Sequence, residues 1–173
     1  MKSNSNKLNK SGYIQIDLMF AGILFLTLLT LIYTSQTDYF EKLYLSQETL
    51  KLKSTAKDLC KTLSQTQGIP SNWQTDLTSL NSIGLLNTSH KLDSSKLTPL
   101  QNINYIQIKQ QLHLKKYNFH INITNLNSRT ELLNFGFKSK SNSLSYSYSC
   151  YIPNDNLNQI QLEVWKWTQN LLK

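Results

Sequence analysis

The sequence predicts an α+β fold in which a long N-terminal helix packs on a small antiparallel β-sheet. An uncharged apolar run occupies residues 18–33, and apolar residues follow it at a helical period over 35–67. From Tyr117 the period changes to two, which is typical of half-buried strands. A helix and a sheet that are each apolar on one face bury those faces against each other.

The charge of the chain is unevenly distributed. The 173 residues carry a formal net charge of +8, and 16% of them are charged, against about 25% in an average soluble protein. Lys2, Lys7 and Lys10 lie in an acid-free leader of twelve residues, so the rest of the chain carries +5. Arg129 is the only arginine. Because nucleic-acid surfaces usually cluster Lys and Arg, this distribution argues against a nucleic-acid partner.

Residues 14–33 are long and apolar enough to span a membrane. As a helix they extend about 30 Å, the thickness of a hydrocarbon core. Basic residues precede this segment and none follows closely, which predicts a cytoplasmic N-terminus and an extracellular remainder. A plain signal anchor and a cleaved secretory signal are the alternatives. The run is long for a secretory signal, and no small-residue cleavage site follows it.

Asp17 distinguishes this segment from a plain anchor, because it lies at the entrance of the apolar run. A carboxylate at the centre of a membrane span costs roughly 2.5–3.5 kcal/mol, and less near the interface, so it needs a partner or a function. If the chain is cut after Gly12, Asp17 becomes the fifth residue of what remains.

A basic leader, a glycine before the cut, a fifth-position acid and an apolar helix together resemble the archaeal type IV prepilin signal, or class III signal peptide. The matching residues are Lys10, Gly12 and Asp17. The sequence departs from the pattern at Tyr13, where glutamine is usual, and by one additional residue between Lys10 and Gly12. The resemblance implies that a membrane peptidase cuts between Gly12 and Tyr13.

The resemblance also implies a pilin-like architecture and its partners. It divides the chain into a cytoplasmic leader (1–12), a membrane or filament-core helix (13–34) and an extracellular α+β head (35–173). The implied partners are further copies of the chain or related pilins, the prepilin peptidase, an assembly ATPase and its membrane platform. The resemblance further implies that Asp17 pairs with the N-terminal ammonium group of a neighbouring subunit during assembly. This ion pair would offset the free-energy cost of burying the two charges.

The function that follows is that of a structural subunit, a major or minor pilin of a surface filament that serves adhesion. It is expected in the cell membrane before assembly and in the extracellular filament afterwards. The alternative is a membrane-anchored extracellular binding module that never polymerises.

The stretch 35–67 is predicted to be helical, with one apolar stripe facing a core. The stripe consists of Phe40, Leu43, Tyr44, Leu50, Ala56, Leu59, Cys60 and Leu63. No glycine or proline occurs between Ile23 and Gln67, so the apolar segment and this stretch can form one helix; a break near residues 34–36 is the alternative. Gly68 and Pro70 are expected to end the helix.

The two cysteines are Cys60, on this helix, and Cys150, on the inward face of a predicted strand. In an extracellular setting they are expected to form a disulfide. Closing a loop of about 90 residues in this way contributes about 4 kcal/mol in the chain-entropy model. Two buried free thiols are the alternative.

Residues 68–97 resemble a segment common in archaeal pilin-like secreted proteins. The matches are Gly68, Pro70, Asn72, Trp73, Ile83, Gly84, Leu85, Lys96 and Leu97. Trp73 is expected to cover the core, and 83–86 to form a short strand. Asp93 is expected to cap a helix that includes Leu97 and continues over 102–112, although Ile106 and Ile108 also fit a strand.

Three strands are predicted over 118–124, 143–151 and 159–167, with an excursion or additional strand within 128–140. A turn over 153–156 makes the last two strands a hairpin. The strands are expected to form an antiparallel meander on the long helix.

Patterns that indicate catalysis or metal binding are missing from the sequence. His90, His113 and His120 have no ligand spacing, and neither a Gly-x-Ser-x-Gly motif nor a glycine-rich phosphate loop occurs. No metal, cofactor or enzymatic activity is therefore expected.

Two further features concern the predicted head. Asn87 and Asn122 begin Asn-x-Ser/Thr sequons and are candidate glycosylation sites. Five aromatic residues fall on two neighbouring strands and are either an adhesive surface or packing residues: Tyr146, Tyr148, Tyr151, Trp165 and Trp167.

Overall fold

The structure is a computed structural model that describes residues 9–76, 79–152 and 155–168, and the side chains of these except at 9–15 and 155–156. It divides into two compact units, the first ending at Ser46 and the second beginning at Gln47. The predicted α+β class is confirmed: a long N-terminal helix packs on a small antiparallel sheet.

Helix α1 extends without a break over Asn9–Gln65, 57 residues, so the continuous helix is confirmed and the alternative break is wrong. Four threonine hydroxyls in its apolar part bind main-chain oxygens three or four residues earlier: Thr27, Thr30, Thr34 and Thr37. These bonds satisfy the polar groups within the helix itself, which an apolar environment requires. The helix ends two residues before the predicted position, because Gly68 already belongs to a strand.

The inward face of α1 begins later than predicted. Leu52, Ala56 and Cys60 are fully buried, and Leu59 and Leu63 complete this face. Four residues of the predicted stripe are exposed instead: Phe40, Leu43, Tyr44 and Leu50. Leu50 lies about 200° around the helix from Leu52, so the two cannot face the same partner. The spacing was helical, but the residues of its first half are exposed.

The main sheet contains β3 (Asn118–Asn125), β4 (Thr130–Gly136), β5 (Ser143–Ile152) and β6 (Asp155–Trp167). Its order is β4-β3-β6-β5, with every pair antiparallel. The predicted strands and the β5–β6 hairpin are confirmed, and the excursion is the strand β4. Of the predicted turn over 153–156, Pro153 and Asn154 lie outside the described residues.

The meander is wrong, because β6 lies between β3 and β5 instead of at an edge. The inner faces of β3 and β6 explain this order. Their six apolar residues there are all fully buried: Phe119, Ile121, Ile123, Ile160, Leu162 and Val164. The two most apolar strands therefore occupy the centre, and β5, whose inward residues 144, 146, 148 and 150 are half-buried, forms an edge.

A connecting region joins α1 to the sheet. It contains β1 (Gly68–Ile69) paired with β2 (Ser82–Ile83), a 3₁₀ turn (Ser94–Lys96), α2 (Leu97–Asn102) and α3 (Tyr105–Gln111). The expected strand over 83–86 is shorter, although Leu86 bridges Leu92. Asp93 caps the 3₁₀ turn as predicted. The helix predicted over 102–112 is interrupted, because the Asn104 side chain caps a new helix by accepting from the Ile106 N–H at 2.8 Å.

Candidate functional site

The N-terminal part of α1 contains the predicted processing and assembly residues. Lys10, Gly12 and Tyr13 lie in its helical backbone, and their side chains lie outside the described part of the chain. The Asp17 side chain is exposed and forms no ion pair with another residue whose side chain the structure describes.

An exposed apolar surface follows Asp17. Every side chain over 16–44 is exposed, and an 18-residue window has a mean hydropathy of 2.2. By length and composition this helix can cross a membrane. Its large exposed residues include Leu18, Met19, Phe20, Ile23, Leu24, Phe25, Leu26, Leu28, Leu31 and Ile32. The N-terminal part of the chain is thus compatible with a membrane anchor.

A disulfide joins Cys60 of α1 to Cys150 of β5, with their Cα atoms 6.2 Å apart. Cys60 is fully buried, and Cys150 lies on the inward face of the edge strand. The bond therefore links the long helix covalently to the sheet, 90 positions later in the sequence.

The connecting region caps the C-terminus of α1. The main-chain N–H groups of Leu85 and Leu86 donate to the oxygens of Leu63 and Thr66, at 3.1 and 3.0 Å. The Lys96 Nζ donates to the Gln67 and Leu86 oxygens, at 2.7 Å each. Carbonyl groups that the end of a helix leaves unpaired are satisfied in this way, and a cation at this position also suits the helix dipole.

Lys96 is an unusual residue to bury, with 1% of its surface exposed. Loss of hydration lowers the pKa of the Lys96 ammonium group below its ordinary 10.5, while the charge of Asp93, 3.9 Å away, opposes the shift. The sequence resemblance included this lysine without indicating that it is buried.

Trp73 covers the core as predicted. Its side chain is fully buried, and its Nε1–H donates to the Gly84 oxygen at 2.9 Å. Gly68, at φ +84°, lies against the same indole ring. Trp73 and Gly68 thus have structural positions close to the end of α1.

A second contact between α1 and the sheet is electrostatic. The Glu48 carboxylate lies 3.0 Å from the Lys51 Nζ and 3.4 Å from the Lys166 Nζ of β6. The hydrogen bond from Lys51 lowers the pKa of Glu48 below 4.5, and Lys166 adds to this shift, while burial opposes it. Lys166 belongs to β6, and the sequence alone does not indicate its partner on α1.

The two sequons occupy different surroundings. Asn87 lies in a turn, where its side-chain oxygen accepts from the Ser89 and Lys91 N–H groups at 2.9 and 3.0 Å. Asn122 lies in the central strand β3, and its side-chain oxygen is buried without a hydrogen-bond partner among the described residues. Glycosylation of Asn87 and Asn122 stays a prediction, and Asn87 has the more open position.

The structure divides the five aromatic residues between the two faces of the sheet. Tyr146 and Tyr148 are half-buried and pack against the core. Trp165 lies on the outer face with Trp167, and their rings meet edge to face at 5.1 Å. Tyr151, opposite Gln159, is exposed. Tyr146 and Tyr148 are therefore packing residues, as one of the two interpretations had it. The five aromatic residues do not form one adhesive surface across both strands.

A pocket of about 480 Å³ lies beside the two tryptophans, and sequence reasoning missed it. Its lining is Asn118, Phe137, Lys138, Lys140, Trp165 and Trp167. The alternating Trp-x-Trp and Lys-x-Lys patterns are the signals that indicate it, but only the folded chain brings them together.

Among the described residues, no group of three or more His, Cys, Asp or Glu is placed to hold a metal ion. His120 is buried and lies 2.7 Å from the Asn134 side-chain oxygen. His90 and His113 adopt positive φ angles, 57° and 58°, in loops.

Comparison of the chain with protein-family models, with curated proteins and with solved structures found no match.

Proposed function

We propose that this chain is a structural subunit, a major or minor pilin, of an archaeal type IV pilus-like surface filament that serves adhesion. The observation that carries the proposal is the exposed apolar part of α1, with Asp17 at its start, in the same helix that packs on the sheet of the head. A surface this apolar needs a membrane or a protein partner, because water does not solvate it.

The proposed partners are those that the resemblance to a prepilin signal implies. Before assembly the helix lies in the cell membrane with its basic leader in the cytoplasm, and the head is extracellular. A prepilin peptidase cuts between Gly12 and Tyr13. An assembly ATPase and its membrane platform then move the subunit into a filament, where the helices of neighbouring copies cover each other's apolar faces.

Processing is tested by mass spectrometry of the surface-exposed protein, produced in a cell that has the peptidase. The expected N-terminal residue is Tyr13, and Gly12→Leu is expected to abolish the cut because a side chain replaces the glycine at the scissile bond. Gly22→Leu makes the same exchange where no atom lies within 4 Å of an added Cβ, and it is expected to leave processing intact. Met1 retained in the surface-exposed wild type would contradict the proposal.

Assembly is tested by negative-stain microscopy of membrane-derived protein. Asp17→Ala is expected to reduce filaments strongly while processing continues, and Asp17→Glu is expected to retain them, because the carboxylate pairs with a neighbouring N-terminus. Asp38→Ala removes another exposed acid of α1 and serves as the control. Abundant filaments from Asp17→Ala would remove the assigned role of this residue.

The second candidate is a membrane-anchored extracellular binding module that does not polymerise. The pocket beside the tryptophans is consistent with this alternative as well, since a binding site does not need a filament. A processed or unprocessed chain that stays in membranes and never forms filaments under any condition would support this alternative.

A further inference from the structure

The pocket beside Trp165 and Trp167 has an aromatic wall. Trp165 is nearly buried, and the Trp167 side chain is 38% exposed. The ring of Trp167 packs edge to face against the ring of Trp165. On the other side lies Phe137, 59% exposed, whose ring meets Tyr105 edge to face at 4.7 Å. Both exposed rings are thus supported from behind and present apolar surface to the pocket.

The segment that bears Phe137 is held firmly on the sheet. The Phe137 N–H donates to the Phe119 oxygen at 3.0 Å, and its own oxygen accepts from the Trp165 Nε1–H at 2.7 Å. Two residues later, Ser139 donates to the Glu163 carboxylate through both its N–H and its hydroxyl group. A pocket whose walls are already ordered loses little conformational freedom when a ligand binds.

The charge at this pocket is positive. Lys138 and Lys140 line it, and within the described part of the chain neither forms an ion pair. The Lys140 Nζ lies 5.9 Å from the centre of the Trp167 ring. A third cation, Lys109, donates to the side-chain oxygen of Asn118 at 3.0 Å. Glu163, two residues before Trp165, has both of its carboxylate oxygens engaged as acceptors from Ser139.

We propose that this pocket binds an acidic polysaccharide, with a sugar ring against Trp167 and Phe137 and its carboxylate or sulfate between Lys138 and Lys140. The apolar C–H face of a sugar ring matches an exposed aromatic ring, and flexible lysines suit a solvated anion as point charges. A single-stranded nucleic acid fits less well, because its binding surfaces follow the phosphates of several nucleotides along a basic groove. Lys138 and Lys140 instead lie together at this single pocket.

This inference deepens the adhesive part of the proposed function. Its test uses the full-length chain in detergent micelles, without assembly, so that a failure to polymerise and a failure to bind sugar are distinguishable. The probes are polygalacturonate as the acidic polymer, dextran as the neutral polymer and oligothymidylate as the nucleic acid, each titrated by calorimetry.

Polygalacturonate is expected to bind, and binding is expected to weaken at about 0.5 M NaCl because salt screens exposed charges. The double variant Lys138→Gln/Lys140→Gln is expected to bind polygalacturonate at least about tenfold more weakly than the wild type. Trp167→Ala is expected to lose about as much affinity. Lys53→Gln/Lys57→Gln removes the same charge from exposed positions of α1 and is expected to bind like the wild type. Thermal unfolding of each variant establishes that the head is folded.

Four results would overturn the proposal. They are no binding of polygalacturonate, equal binding of dextran, tighter binding of oligothymidylate, and an equal loss in the α1 control variant. Dextran bound as tightly would mean that the lysines do not select the ligand, and oligothymidylate bound more tightly would identify a nucleic-acid surface instead.

Discussion

The Lys96 Nζ lies 2.7 Å from the main-chain oxygen of Leu86, inside the protein and directly beyond the C-terminus of α1. The same nitrogen reaches Gln67, and Asp93 is the nearest acid. One buried ammonium group thus connects the end of the helix to the turn that follows β2. The residues of the connecting region are held together around it.

Replacing Lys96 by methionine tests this arrangement. The variant is expected to lose about 2 kcal/mol of the free energy of unfolding, because two main-chain oxygens lose their donor. Denaturant titration of the full-length chain in micelles measures it, since all three tryptophans lie in the second unit and report on its unfolding. Lys91→Met, at an exposed position, is expected to change little.

The pH dependence of this variant follows from the lowered pKa of Lys96. A lysine whose pKa is depressed by folding contributes stability that is present above its unfolded pKa, near 10.5, and is lost as the pH falls through the folded pKa. The stability difference between wild type and Lys96→Met is therefore expected to grow as the pH rises towards 10.5. A difference that is constant over alkaline pH would mean that folding leaves this pKa unchanged.

Glu48 is expected to act at the acid end of the pH range. Because folding lowers the pKa of Glu48, this residue contributes to the free energy of unfolding above pH 4.5. The contribution is lost as the pH falls through the folded pKa. Glu48→Gln is expected to cost about 1 kcal/mol at neutral pH, since its partner Lys51 is largely exposed, and to cost nothing at strongly acid pH. Urea titrations at several pH values measure this, with Glu41→Gln, an exposed acid of α1, as the control.

Reduction of the Cys60–Cys150 disulfide is expected to lower the free energy of unfolding by about 4 kcal/mol, because it frees a loop of about 90 residues in the unfolded chain. Thermal unfolding with and without dithiothreitol measures the effect. The double variant Cys60→Ser/Cys150→Ser provides the control, because dithiothreitol is expected to leave its melting temperature unchanged. A wild type that melts at the same temperature in both conditions would contradict the prediction.

Gly84 is predicted to tolerate no side chain. An added Cβ would meet the Thr66 hydroxyl and the main chain of Thr66 and Gly68, which directly follow the end of α1. Gly84→Ala is therefore expected to destabilise the head by about 2 kcal/mol or more. Gly22→Ala, where an added Cβ has open space, is expected to leave the melting temperature of the head unchanged. Equal melting of Gly84→Ala and the wild type would show that the connecting region can shift.

Local patterns predicted most of the elements of this fold. The period of two identified β3, β5 and β6, and Asp93 marked the start of the 3₁₀ turn, because both signals depend on neighbouring residues alone. The strand order was not predictable in the same way. Alternation is identical whether β4 pairs with β5, as in a meander, or β6 pairs with β3, as here, and the choice depends on how much apolar surface each strand buries.

The same limit applies to the sites. Asp17 and Gly12 form a sequence pattern, so their roles could be predicted without a structure, and they stay predictions. The exposed Leu50 shares a helical period with buried residues of α1, and the sequence alone does not separate it from them. The pocket depends on the segment 137–140 bonding to β6, a contact between residues more than twenty positions apart.

The disulfide also has a mechanical consequence. If tension is applied to the chain through α1, the load passes directly from Cys60 to Cys150 across a covalent bond. The residues between them, which include both sequons and the basic segment 137–140, lie within the covalent loop and carry none of that load. An edge strand, ordinarily the first to be peeled from a sheet, is thereby the strand fastened to the pulled helix. Of the pocket, Asn118, Phe137, Lys138 and Lys140 thereby lie outside the covalent path of the force, whereas Trp165 and Trp167 follow Cys150 on β6.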